Sequence, residues 1–133
     1  ASLNTDHLRT RPLQHLLRTA CEQLDLPGRR SVQFITSDSP IDVSPDDKVV
    51  LFRIFQEATN NALKHARATR ITVALVNNSQ LRLTITDNGS GFNTASVSDG
   101  QGLANIRRRA TLIGAVASVY SDPANGTIIT ISR

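Results

Sequence analysis

The chain has 133 residues, enough for one compact domain and too few for two comfortable ones. Its 15 basic and 11 acidic residues leave a net charge of +4, too mild to imply a nucleic-acid partner, and no Trp, four Phe and one Tyr offer few faces on which bases could stack. A single cysteine, Cys21, excludes an internal disulfide framework and a Cys-rich metal site.

No apolar run approaches the ~20 residues that cross a bilayer, and the polar start A-S-L-N-T-D-H-L-R is not a signal peptide. The expectation is a cytoplasmic domain with no direct membrane contact, cut from a longer, membrane-bound protein. In chain order, Leu8, Leu13, Leu16, Leu17, Ala20, Cys21 and Leu24 keep the spacing of an amphipathic helix over about residues 3–26. Pro12 breaks or restarts that helix, and Leu26-Pro27-Gly28 closes it. Val32 to Ile35 reads as a short strand. Ser44-Pro45-Asp46-Asp47 starts a helix: Ser44 caps, Pro45 suits the first helical position, and two acids sit in the positive first turn. It should run to about Ala66 with Val50, Leu51, Ile54, Phe55, Ala58 and Ala62 on its core face.

Ile71, Val73 and Leu75, then Leu81, Leu83 and Ile85, alternate as two strands around an Asn77-Asn78-Ser79 turn. A Gly- and Ser-rich loop from Asn88 to Gly100 leads to a helix from about Gly102 to Ile113, closed by Gly114. Val116 to Tyr120 and Ile128 to Ile131 are two further strands joined by a turn through Pro123 and Gly126. The sum is an α+β fold, a two-layer α/β sandwich with helices on one face of a mostly antiparallel mixed sheet.

Three stretches can carry chemistry. At about 100° per residue, Glu57, Asn61 and Lys64 fall within about 60° of one another on the long helix. A carboxylate, an amide oxygen and an ammonium in line suit a metal-bound polyphosphate: the amide ligates Mg²⁺, the ammonium meets phosphate, and the carboxylate orients or deprotonates a nucleophile. The plain alternative is a solvated helix face. Second, Asp87 ends a strand before Asn88-Gly89-Ser90-Gly91, and as a pure acceptor it suits an exocyclic amine such as that of adenine; the alternative is an ordinary Asp-Asn-Gly turn. Third, Gly100-Gln101-Gly102-Leu103 opens a helix, where backbone N–H groups bind phosphate, or merely punctuates it. Gly126-Thr127 at a strand start adds little alone.

The order of these parts, E-x-x-x-N-x-x-K-H on a helix, D-x-G-x-G after a strand, G-x-G-L into a helix and G-T on a strand, resembles the GHKL (Bergerat) ATP-binding fold over about Ser44 to Arg133. That family groups sensor histidine kinases, type II topoisomerase ATPase domains, MutL-type repair ATPases and the heat-shock chaperone ATPase. F-R-I-F-Q-E-A-T-N-N-A-L-K-H-A and G-L-A-N-I-R-R-R-A-T-L-I-G are most similar to the NarL-partner, DesK-like histidine kinases.

The resemblance implies a role for each matching residue. Asn61 would ligate Mg²⁺ between the phosphates of ATP, and Lys64 and His65 would approach those phosphates. Glu57 would hold or polarise the attacking group. Asp87 would accept from the adenine amine, with Gly89 and Gly91 shaping the base pocket and Thr127 supporting the adenine side. Gly100, Gly102 and Leu103 would flank the phosphate lid, which spans Phe92 to Gly100. Asn60 and Asn105-Ile106-Arg107 depart from the subgroup's usual text without touching these roles, and Arg107-Arg108-Arg109 reads as a solvated charge run with one arginine near phosphate as the alternative.

No acceptor box of the E-L-H-D type occurs; His7 and His15 lack the acidic neighbour that follows the acceptor. The implied protein is the ATP-binding catalytic domain of a histidine kinase: residues 1–133 as one domain, with 1–28 a helical lead-in and 29–133 the nucleotide-binding core. It would transfer phosphate to a separate phosphoacceptor helical domain, serve a NarL-type response regulator, and not phosphorylate itself alone. A nucleotide-binding regulatory module or an anti-sigma-type serine kinase of the same fold is the alternative.

Overall fold

The computed structural model describes residues 5–91 and 97–133. Two short helices, α1 (Thr5–Thr10) and α2 (Leu13–Leu24), precede strand β1 (Ser31–Thr36). Pro12 stands at the N-cap of α2, where its fixed φ of −58° fits and its missing N–H costs no bond. Helix α3 (Pro45–Asn60) opens as its sequence predicts: the Ser44 hydroxyl accepts from the Asp47 amide at 3.3 Å, and Asp46 and Asp47 occupy the first turn. Its buried face includes Leu51, Ile54, Phe55 and Ala58, joined by Phe52, while Val50 is only partly covered.

Strands β2 (Arg70–Asn77) and β3 (Leu81–Asp87) form the expected hairpin. Helix α4 (Val97–Leu112) and strands β4 (Val116–Asp122) and β5 (Gly126–Ser132) complete the chain. The sheet order is β1-β2-β3-β5-β4, with β1 and β2 parallel and every other pair antiparallel. The parallel pair follows from the crossover through α3, since parallel neighbours need a long connection.

One sheet face is covered and the other is open. Ile71, Val73, Leu75, Leu83, Ile85, Ile129 and Ile131 are buried against the helices, whereas Ser118, Tyr120, Arg82 and Ile128 on the opposite face are exposed. Leu8, Leu13 and Leu17 from α1 and α2 enter the same core as Leu51 and Ile54. This is the mixed two-layer sandwich that the hydrophobic pattern implies.

The pleat then does something specific at the end of β3. Leu81, Leu83 and Ile85 point inward, so two residues on Asp87 points inward as well, and it is buried. Register places Thr127 of β5 directly opposite it. A carboxylate and a hydroxyl therefore sit on the covered face at one end of the sheet, beneath the C-terminal end of the α3 helix.

Candidate functional site

Helix α3 does not continue as an α-helix to Ala66. It passes into a π-helical turn over Asn61–His65, in which the Ala66 amide donates to the Asn61 carbonyl at 3.1 Å, an i to i+5 bond. Such a turn holds more residues than an α turn, so each successive residue rotates by less than about 100°. His65, which α-helical spacing would carry past the Glu57–Asn61 line, falls back onto it, and Lys64 trails out of it. The predicted stripe is corrected accordingly. Glu57, Asn61 and His65 line one cavity, while exposed Lys64 lines an adjoining groove that shares Glu57 and Asn60 with it.

That cavity has a volume of about 270 Å³, and Asp87, Gly91, Gly102 and Thr127 line it together with Glu57, Asn61 and His65. Residues from three helical segments and two strands, spaced over seventy positions of sequence, thus converge. At its sheet end the Asp87 carboxylate accepts from the Gly89 amide at 2.8 Å, and the Ser121 and Thr127 hydroxyls are 2.9 Å apart. Burial pushes the Asp87 carboxyl above its ordinary range, and the amides of Gly89 and Thr127 pull it part of the way back.

The glycines act through close approach. A Cβ on Gly89 would lie 2.6 Å from the Ala66 Cβ, so the loop after β3 presses on the end of the helix. Asn88 pins the same junction, its Oδ1 accepting from the amides of Thr69 and Arg70 at 2.9 and 2.8 Å. A Cβ on Gly102 would lie 2.5 Å from Nδ2 of Asn61. The expectation that Gly100 and Gly102 open a helix is corrected: α4 begins at Val97, and both lie within it. Gly102 instead leaves room for the Asn61 amide. Leu103 is buried and does not line the cavity, nor does Gly89. Of the expected lid from Phe92 to Gly100, residues 92–96 lie outside the described residues, and 97–100 form the first turn of α4 rather than loop.

Two site residues escape the sequence reading. Nδ2 of Asn105 donates to Oε1 of Glu57 at 3.2 Å, and Nη1 of Arg109 lies 3.9 Å from the same oxygen. Asn105 is therefore not a departure without consequence for the ligand roles, and Arg109 is half-buried rather than part of a solvated run. Their four-residue spacing on α4, facing a carboxylate-bearing helix, was the only signal.

Among the described residues no cluster of three His, Cys, Asp or Glu side chains can cage a metal. A divalent cation here would take the Asn61 amide oxygen and otherwise depend on phosphate and water oxygens, which suits Mg²⁺. The cavity thus carries a carboxylate acceptor at one end and an amide, an imidazole and a second carboxylate at the other.

The chain belongs to the histidine kinase-, DNA gyrase B- and HSP90-like ATPase family, whose model matches residues 46–133. It is 40% identical over 102 residues to the sensor histidine kinase LiaS of Bacillus subtilis, covering 75% of this chain and 28% of that protein. It is 46% identical over 83 residues to the sensor protein VraS of Staphylococcus aureus, covering 61% of this chain and 24% of the relative. The chain thus spans about a quarter of the length of these curated relatives. Its fold is similar to that of the blue-light activated histidine kinase of Erythrobacter litoralis, with a TM-score of 0.71, 25% identity and coverage of 95% of this chain and 42% of that one. It is also similar to the ATP-binding domain of PrrB from Mycobacterium tuberculosis, with a TM-score of 0.65, 24% identity and coverage of 90% and 91%.

Proposed function

We propose that the chain is the catalytic domain of a two-component sensor histidine kinase, which binds Mg·ATP and donates the γ-phosphate to a histidine on a separate phosphoacceptor helical domain. What supports this most is the convergence of Glu57, Asn61, His65, Asp87 and Thr127 on one cavity in a family of ATPases. Asp87, with Thr127 across the ladder, would accept from the adenine amine. Asn61 would hold the metal, which when bound neutralises phosphate charge, and His65 would meet a phosphate oxygen. Glu57 would orient the acceptor imidazole and take its proton as the new N–P bond forms and the Pγ–O bond to ADP breaks. Positioning and charge neutralisation carry such a transfer.

A NarL-type response regulator as the next partner rests on the text of α3 and α4 alone. Among the described residues no helix is long and apolar enough to cross a membrane, and the membrane attachment of the whole sensor is part of the same proposal.

Incubating the chain with γ-labelled ATP, with and without the acceptor domain, tests the reading. Acid-labile label on the acceptor is the expected result. Acid-stable label would move the assignment to a serine kinase, and nucleotide binding without transfer to a regulatory module.

A further inference from the structure

One row of polar side chains crosses the sheet at its site end. Asp87 of β3 stands opposite Thr127 of β5, and Thr127 stands opposite Ser121 of β4. All three lie on the covered face, where Ser121 continues the inward alternation of Ala117 and Val119, which pack against the core. Asp87 and Thr127 line the nucleotide cavity; Ser121 stands one strand behind Thr127 and does not.

The ladder explains how Ser121 reaches Thr127. Leu81 and Arg133 exchange both backbone bonds, at 3.0 and 2.9 Å, and such pairs recur at every second residue of an antiparallel ladder. Thr127, in step with Arg133, therefore turns its backbone groups toward β3. Its pairing with Ser121 is then of the non-hydrogen-bonded kind, which brings side chains closest, and the two hydroxyl oxygens meet at 2.9 Å. Thr127 is buried and Ser121 half-buried, so the contact is sheltered from water.

The Watson–Crick edge of adenine sets a donor, its amine, beside an acceptor, N1; guanine reverses both. Asp87 as an anion can only accept. Reading both atoms of adenine needs a donor next to it, and Thr127 carries the only hydroxyl among the described residues that line the cavity. That hydroxyl has one hydrogen. Given to Ser121, it is lost to the base; if Ser121 donates to Thr127 instead, it is left for N1. We propose that Ser121 is a positioning residue for adenine specificity, its hydroxyl donating to Thr127 and so aiming the Thr127 hydrogen at N1 of the bound base. This task rests on the nucleotide reading of the cavity and adds to it a residue that does not touch the ligand. The Ser121 oxygen keeps its lone pairs for other donors.

The test is calorimetric titration of the whole chain with ATP and with 1-deaza-ATP, in which a C–H replaces N1. The native chain should bind ATP roughly tenfold more tightly than 1-deaza-ATP. Ser121→Ala should weaken ATP roughly 3- to 10-fold, the worth of about one hydrogen bond, and leave 1-deaza-ATP within about twofold. In a Thr127→Val background the same substitution should cost nothing further, because Ser121 acts through Thr127. Equal losses for the two nucleotides, or a further loss in that background, would reduce Ser121 to a support of the fold and overturn the proposal. An ATP affinity unmoved by Ser121→Ala overturns it too, as does a native chain that binds the two nucleotides equally, since Thr127 then gives nothing to N1. A native chain that binds neither nucleotide is a different result, which removes the nucleotide reading itself.

Discussion

Asn105 on α4 donates to Glu57 on α3 across 3.2 Å, so the one carboxylate among the described residues that lines both concavities is held by α4. Asn105 is itself held: Nη2 of Arg108 donates to its Oδ1 at 2.7 Å, which fixes the amide so that its N–H₂ points at Glu57. The partially exposed Arg109 adds a weaker pull at 3.9 Å. In the base role proposed for Glu57 such restraint would help, because a misdirected carboxylate must be re-aimed at each turnover.

Removing that restraint should separate chemistry from binding. With Asn105→Ala, kcat for transfer is expected to fall roughly 10- to 100-fold, the worth of about one hydrogen bond to a charged group, while the KM for ATP stays within about twofold. Asn105→Asp should be worse, because it places a like charge beside Glu57. A matched loss in kcat and in ATP affinity would mean that Asn105 supports the cavity wall rather than the base.

Gly102 stands against the proposed metal ligand. A methyl there would lie 2.5 Å from Nδ2 of Asn61, and that atom is the end of a flexible side chain that can swing away. Gly102→Ala should therefore leave the fold standing, with a midpoint in urea close to native. Magnesium-dependent nucleotide binding should drop on the order of tenfold, since Asn61 is displaced from where it would ligate. Calorimetric titration with and without Mg²⁺ reads this directly, and an unchanged magnesium increment would remove Asn61 from the metal.

Gly126 is a stricter case. Its φ is +91°, and a Cβ would sit 2.0 Å from the carbonyl oxygen of Asp87, a backbone atom that cannot rotate aside. Gly126→Ala is expected to destabilise the domain by about 2 kcal/mol or more, combining backbone strain with displacement of β3 from β5. Urea unfolding with an unaltered slope and a lowered midpoint is the expected signature. A native midpoint would show that the ladder yields there at no cost.

The strands and the start of α3 were legible because each follows from a local rule, alternation or capping, and the inward aim of Asp87 continues the alternation of β3 by one step. Their order along the chain was enough to bring Asp87, Asn61 and Thr127 to one place. What stayed hidden depends on geometry that no periodicity encodes. The π-helical turn exchanges Lys64 for His65 by changing the residues per turn, and nothing in N-A-L-K-H advertises it. The hold of Asn105 on Glu57 links positions 48 residues apart. Two glycines that look like the opening of a helix lie inside one, because α4 starts earlier and Gly102 is needed for clearance rather than for flexibility.

The Asp87 carboxyl poses a conflict between stability and recognition. Burial raises its pKa above the ordinary carboxylate value of 3.8, outweighing the Gly89 and Thr127 amides that favour the charged form. For a raised carboxyl the folded chain binds its proton more tightly than the unfolded chain does. That contribution is complete below the ordinary carboxylate range and is lost as pH rises through the raised value. At neutral pH the native chain therefore carries the cost of a buried anion, which Asp87→Asn removes while keeping an oxygen to accept from Gly89. The variant should melt higher than native at pH 7, by roughly 4 °C for each kcal/mol relieved, and the advantage should fade as pH falls toward the ordinary carboxylate range. Adenine recognition should move the opposite way, because the amide replaces a charged acceptor. ATP affinity is expected to fall roughly 10- to 100-fold, with discrimination against GTP reduced. Thermal melts across pH 4 to 7, paired with ATP and GTP titrations, separate the two effects. Higher stability with undiminished ATP affinity would leave Asp87 a buried acid with no hand in the base.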